Sequence, residues 1–154
     1  MKKILTASIL VMFLIIAAGA AFAAGEPLDT VKTIYTYMQT GNIQEMKNLV
    51  AQDVIKQIAE GADIKIIGEH LGMYLFVTAA VKESKGSITF SNQTFKVEET
   101  KEDTAVISST YDAKTVIQDK NFEEKGSDKI TLVKKNDKWV ILKLTDLTRN
   151  KTGE

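Results

Sequence analysis

Acid–base chemistry on a small organic molecule takes a general base, a group that stabilises charge developing on oxygen, and an apolar surround that shifts the pKa of both. In this 154-residue chain the side chains that could fill those roles are Asp112, Tyr111, Tyr35, Tyr74 and the single imidazole, His70. Tyr111 and Asp112 are adjacent in a run that reads as a strand, so they point to opposite faces and serve one pocket only across a bulge. Tyr111 shares parity with Ala105, Ile107, Ser109 and Ala113, whereas Asp112 keeps company with Ser108, Thr110 and Lys114, the composition of a solvated face. His70 has no partner in a recognisable catalytic motif and reads as a surface or helix-end histidine. With one histidine and no cysteine the chain lacks the donors of a zinc-type metal site. Gly68 and Gly72, four apart on a helix, suit close packing better than phosphate contact. The pairs Glu98-Glu99 and Glu123-Glu124 flank turns, where charge is ordinarily solvated. No cofactor is implied.

These candidates have to be held by a domain, and the first residues are not part of it. "MKKILTASILVMFLIIAAGAAFAA" has a basic start at Lys2 and Lys3, an apolar stretch through Ala18, and the small residues Ala21 and Ala23 around Phe22. That order is a secretory signal cut after Ala23. A spanning anchor would continue apolar for about 20 residues to a charged stop; alanines and a glycine follow instead. Lipid attachment at a bacterial signal site needs a cysteine, which is absent. The expectation is residues 1–23 as signal peptide, 24–147 as one domain and 148–154 as a frayed tail, in a periplasmic or secreted protein with no stable membrane anchor after cleavage. Losing Lys2 and Lys3 tips a chain of 20 basic and 20 acidic residues to a formal charge of −2. With Arg149 as its only arginine, the chain has no footprint for nucleic acid. An oxidising compartment without cysteine leaves packing as the source of stability.

Residues 24–85 read as helices and 87–146 as strands. Pro27 fits a first helical turn, and Leu28, Val31, Ile34, Tyr35 and Met38 recur at helical spacing until Gly41. Asn42 with Glu45 three residues on forms a capping box for a second helix through Ile43, Met46, Leu49 and Val50. Asp53 is placed as the cap of a third, through Val54, Ile55 and Ile58 to Gly61. Residues 63–85 predict a helix from near Ile66, with Leu71, Tyr74, Leu75, Thr78 and Val81 on one stripe, and Met73, Phe76 and Val77 making it apolar nearly all round. Strands are predicted over 87–90, 94–100, 104–117, 129–135 and 138–146, with turns at 101–103, 123–128 and Asn136-Asp137. A two-residue turn at Asn136-Asp137 pairs Lys134 with Trp139, Val133 with Val140, and Leu132 with Ile141. One face of that hairpin then carries Val133, Val140, Leu142 and Leu144, the other Ile130, Leu132, Trp139 and Ile141. Both faces are apolar, so each should meet something.

The first helix leading into Gly41-Asn42, "TGNIQEM", the strand "DTAVISSTYD" and the closing "VKKNDKWVILKL" together resemble the nuclear transport factor 2-like superfamily over almost all of residues 24–154. The resemblance implies an α+β fold in which N-terminal helices pack on a strongly curved antiparallel sheet, shaped as a cone with a pocket. Its members include isomerases, dehydratases, small-ligand binders and interaction domains, so fold does not choose the function. In such a cone Tyr35, Met38, Tyr74, Phe76, Tyr111 and Trp139 are the candidate pocket residues. The leading expectation is a non-catalytic exported domain that binds a small apolar ligand or a protein partner. An isomerase- or dehydratase-like enzyme with a carboxylate in the cone is the first alternative, and a structural module that forms a homodimer through its outer sheet face is the second.

Overall fold

A computed structural model describes residues 25–60, 69–118 and 120–148. Among the described residues four helices, α1 (Pro27–Thr40), α2 (Ile43–Asn48), α3 (Gln52–Ala59) and α4 (Glu69–Glu83), precede four strands, β1 (Ser87–Thr100), β2 (Thr104–Ile117), β3 (Lys120–Lys135) and β4 (Lys138–Asp146). The strands form one antiparallel sheet in the order β1-β2-β3-β4, curled but not closed. The fold is the α+β cone that the resemblance implied.

The helix boundaries follow local chemistry. Val31, Ile34, Tyr35 and Met38 are buried along one face of α1, which starts at Pro27. Gly41 ends it in the left-handed region at φ 67°, and the Asn42 N–H turns back to the Tyr37 carbonyl at 2.9 Å. Asn42 then caps α2, its side-chain oxygen accepting from the Glu45 N–H at 3.4 Å. Asp53 does not cap α3. Ala51 holds that position, and Asp53, in the first turn, pairs with Lys135 on β3 at 2.8 Å. In α4 the stripe Leu71, Tyr74, Leu75, Thr78 and Val81 is buried as the spacing predicted, but the helix is not covered on most sides. Phe76 is 72 % exposed and Met73 36 %. A Cβ at Gly72 would meet open space, so close packing does not explain that glycine. The predicted start near Ile66, and Gly61 and Gly68, lie outside the described residues.

The sheet departs from the sequence reading in three places, each set by pairing. β1 runs unbroken from Ser87 to Thr100 because a bulge at Asn92 and Gln93, with Asn92 at φ 51°, absorbs what the composition suggested was a gap. Residues 123–128 are not a turn: they continue β3, with Glu124 opposite Ala113, Gly126 opposite Tyr111 and Asp128 opposite Ser109. Pairing along the whole of β2 overrides the weak strand preference of "EEKGSD", and the chain reverses earlier, after Gln118 at φ 49°. In the last hairpin Asn136 and Asp137 both take positive φ, and Lys134–Trp139, Val133–Val140 and Leu132–Ile141 pair as expected. A bulge follows at once, since Leu132 pairs with Ile141 but Thr131 with Lys143. The extra residue, Leu142, reverses the alternation, so Leu144 is fully buried beside Ile130 rather than facing out with Val140.

The inner face of the sheet supplies Ala105, Ile107, Ile130, Leu132, Ile141 and Leu144 to a core shared with α1, α2 and α4. Full burial of an aliphatic side chain of this size contributes about 1.5–3 kcal/mol. The β4 edge is partly paired: Ile141 donates to the Leu49 carbonyl at 2.8 Å and accepts from the Ala51 N–H at 2.9 Å. Beyond β4, the Leu147 N–H bonds the Ser127 carbonyl and the Thr148 hydroxyl accepts from the Ser127 N–H, which fixes the backbone next to Asp128.

Candidate functional site

Midway along the inner face the apolar core gives way to a polar cluster. Asp128, on β3, has no exposed surface. Tyr35 of α1 donates to its Oδ2 at 2.6 Å, and Tyr74 of α4 donates to the same oxygen at 2.7 Å. Ser109, the β2 partner of Asp128, lies 2.6 Å from the Tyr35 hydroxyl. The phenolic proton of Tyr35 is committed to Asp128, so Ser109 is the donor in that contact. The Tyr111 hydroxyl bonds that of Tyr74. Three helix and strand segments thus place three phenols around one carboxylate.

Packing positions the rings. Tyr35 meets Phe90 edge-on with centroids 5.1 Å apart and lies 5.6 Å from Tyr111, while Phe90 meets Tyr111 edge-on at 5.2 Å. The Tyr111 ring lies over the backbone of Gly126, where any Cβ would overlap it. Gly126 therefore sits in a strand, against its propensity, because the ring needs the space.

Burial dominates the electrostatics. It pushes the Asp128 carboxyl up to about 6; hydrogen bonds from Tyr35 and Tyr74 pull the other way, the nearby Asp146 carboxylate raises it further, and the bond from Tyr111 lowers it. Burial also lifts the Tyr35, Tyr74 and Tyr111 phenols well above their ordinary range, with the Asp128 charge adding to each. At neutral pH the carboxylate is the acceptor and the phenols are the donors.

Above this cluster, between α1, α4 and the far ends of β1, β2 and β3, is an apolar cavity of about 300 Å³. Met38, Val77, Ile88 and Phe90 are among its walls, Tyr74 and Tyr111 form its polar floor, and Phe122 and Glu124 stand on the β3 side. Of the six candidate pocket residues, Met38, Tyr74 and Tyr111 come together here. Tyr35 lies in the core beneath, bonded to Asp128. Phe76 faces outward on α4. Trp139 is half-buried and lines a different groove, with Asp29 and Thr33 of α1 and Leu49.

Asp112 is where its parity put it, on the outer face, accepting from Asn92 Nδ2 at 2.7 Å. The His70 side chain lies outside what is described. Asp128, Ser109 and Phe90 were missed. The signal for Asp128 was its parity with Ile130 and Leu132, an acid on an apolar face, and it was hidden by reading residues 123–128 as a turn.

The solved structures that superpose on this chain are nuclear transport factor 2-like proteins, and the chain has their cone-shaped fold. A candidate dehydratase of the nuclear transport factor 2-like family from Streptomyces avermitilis aligns with TM-score 0.52 at 15% identity, covering 78% of this chain and 94% of that one. A candidate ketosteroid isomerase from Shewanella frigidimarina aligns with TM-score 0.51 at 14% identity, covering 80% and 96%. A candidate calcium/calmodulin dependent protein kinase II association domain from Xanthomonas campestris aligns with TM-score 0.50 at 16% identity, covering 79% and 86%. No family model matches the chain, and no curated protein matches it in sequence. Candidate enzymes and a candidate association domain thus share this fold, and at such identities the likeness extends to the fold alone.

Proposed function

We propose that the protein is an exported, non-catalytic domain, released by cleavage after Ala23, that holds a small apolar molecule in the cavity between α1, α4 and the sheet. The observation that carries this reading is the cavity itself: about 300 Å³, with Met38, Val77, Ile88 and Phe90 among its apolar walls, closing on the hydroxyls of Tyr74 and Tyr111. Sites of this size and lining accommodate small organic ligands. Catalysis would need a base that reaches the ligand. The buried carboxylate, Asp128, is enclosed and serves as acceptor for Tyr35 and Tyr74, which supports a structural anchor beneath the ligand. Glu124, the carboxylate that does line the cavity, is solvent-exposed on β3 rather than held in the apolar surround a general base needs.

The test is titration with N-phenyl-1-naphthylamine, a neutral dye that fluoresces in apolar surroundings. Val77→Trp, which fills the cavity from α4, should abolish the signal. Leu49→Trp, which fills the groove at Trp139, should leave it unchanged. Dye binding that survives Val77→Trp and disappears in Leu49→Trp would move the site to Trp139 and refute the reading.

A further inference from the structure

The cavity is one-sided in charge. Among the described residues that line it, Glu124 alone carries a formal charge. The β2–β3 register puts Glu124 opposite Ala113 on the inner face, two residues from the Gly126–Tyr111 pair, and its negative charge raises the Tyr111 phenol, as a carboxylate near that hydroxyl must. The neighbouring lysines face the other way: on the outer surface Lys114 meets Glu123 at 3.4 Å and Lys125 stands opposite Asp112. Lys120 occupies the outermost inner-face pair, opposite Ile117, and is not among the lining residues.

The protons of the floor are also committed. Tyr74 gives its single hydroxyl proton to Asp128, and the single Tyr111 proton is shared between Asp128 and the Tyr74 hydroxyl. The floor therefore offers the cavity oxygen lone pairs and aromatic rings, with the buried charge of Asp128 behind them. A carbonyl or carboxylate there would meet lone pairs and negative charge. A cationic head would meet the Glu124 carboxylate and the rings of Phe90, Tyr111 and Phe122, the surroundings that favour ammonium groups.

We propose that the occupant of this cavity is a lipophilic cation, an apolar molecule ending in a protonated amine or quaternary ammonium, with its head beside Glu124 and its body against Met38, Val77 and Ile88. This inference rests on the reading of the cavity as a ligand site.

Three probes on one skeleton test it: benzyltrimethylammonium, its neutral isostere neopentylbenzene, and the anion 3-phenylpropanoate. Binding is read from the 13C-methyl signals of Met38 and Met73, both lining the cavity, with Met46 of the core as internal reference. Benzyltrimethylammonium should shift Met38 and Met73 and bind about tenfold more tightly than 3-phenylpropanoate. Glu124→Gln should weaken the cation about fivefold while leaving the isostere within about twofold. The isostere or the anion binding at least as tightly as the cation, or a cation affinity indifferent to Glu124→Gln, overturns the charge preference and leaves the apolar site standing. If none of the three moves Met38 or Met73, the ligand site itself fails and this inference with it.

Discussion

Asp128→Asn removes the buried charge while keeping an oxygen for Tyr35 and Tyr74 to bond. Two effects compete in the native protein: phenolic donors stabilise the carboxylate, and burial with the nearby Asp146 destabilises it. Burial prevails, and the carboxyl rises from 3.8 to about 6. At about 1.4 kcal/mol per unit, the displacement amounts to about 3 kcal/mol. A carboxyl whose folded pKa exceeds its unfolded one holds its proton more tightly when folded. Its contribution is fully present below the unfolded value near 3.8 and is lost as pH rises through about 6. Asp53, Glu98 and Glu99 are shifted downward by their lysine partners and slope the other way, but they are common to both proteins and cancel in the comparison. Urea unfolding of both proteins between pH 4 and 8, analysed as the difference between them, is the assay. Relative to Asp128→Asn, the wild type should lose about 2–3 kcal/mol between pH 4 and 8, the fall lying between 3.8 and about 6 and levelling off above it. A flat difference, or a wild type that gains with pH because its tyrosine bonds prevail, would falsify the argument that desolvation outweighs the three phenols.

Gly126→Ala puts a methyl group into the Tyr111 ring; we expect about 1–3 kcal/mol of destabilisation by urea unfolding and weakened N-phenyl-1-naphthylamine binding, and an alanine variant that matches wild type in both would mean the ring moves aside without consequence. Tyr35→Phe removes one donor to Asp128 and should cost about 1.5–3 kcal/mol at pH 7, with a smaller loss near pH 4, where the carboxyl is protonated; an equal loss at both would show that Tyr35 acts through packing alone. The exported product should begin at Ala24, because Ala21 and Ala23 fill the small positions that signal peptidase requires; intact mass measurement tests this, and a mature protein retaining residues 1–23 would overturn the proposed export. Half-buried Val106, Val133 and Val140 on the outer sheet face should support a two-fold dimer at micromolar concentration, lost in Val133→Lys; sedimentation showing a strict monomer would refute it.

The sequence by itself determined what depends on neighbours along the chain. Helical spacing marked the buried face of α1, Gly41 and Asn42 marked a stop and a cap, and Asn136-Asp137 marked a tight turn because both residues tolerate positive φ. Parity along residues 104–117 put Tyr111 inside and Asp112 outside, since pleating leaves no other choice. Tertiary structure decided what depends on partners distant in sequence. How much of α4 is covered depended on the inner sheet face it meets, so Phe76 was left outside although the helix is apolar nearly all round. Whether residues 123–128 turned or paired depended on the length of β2. That pairing drew Gly126 beneath a ring and carried Asp128 into the core, where tyrosines 93 and 54 positions away in the chain bond it. A single extra residue in β4 put Leu144 inside against the apparent alternation. A buried carboxylate costs several kcal/mol unless donors surround it, and those donors come from α1 and α4, elements whose separation from β3 along the chain leaves no local pattern to read.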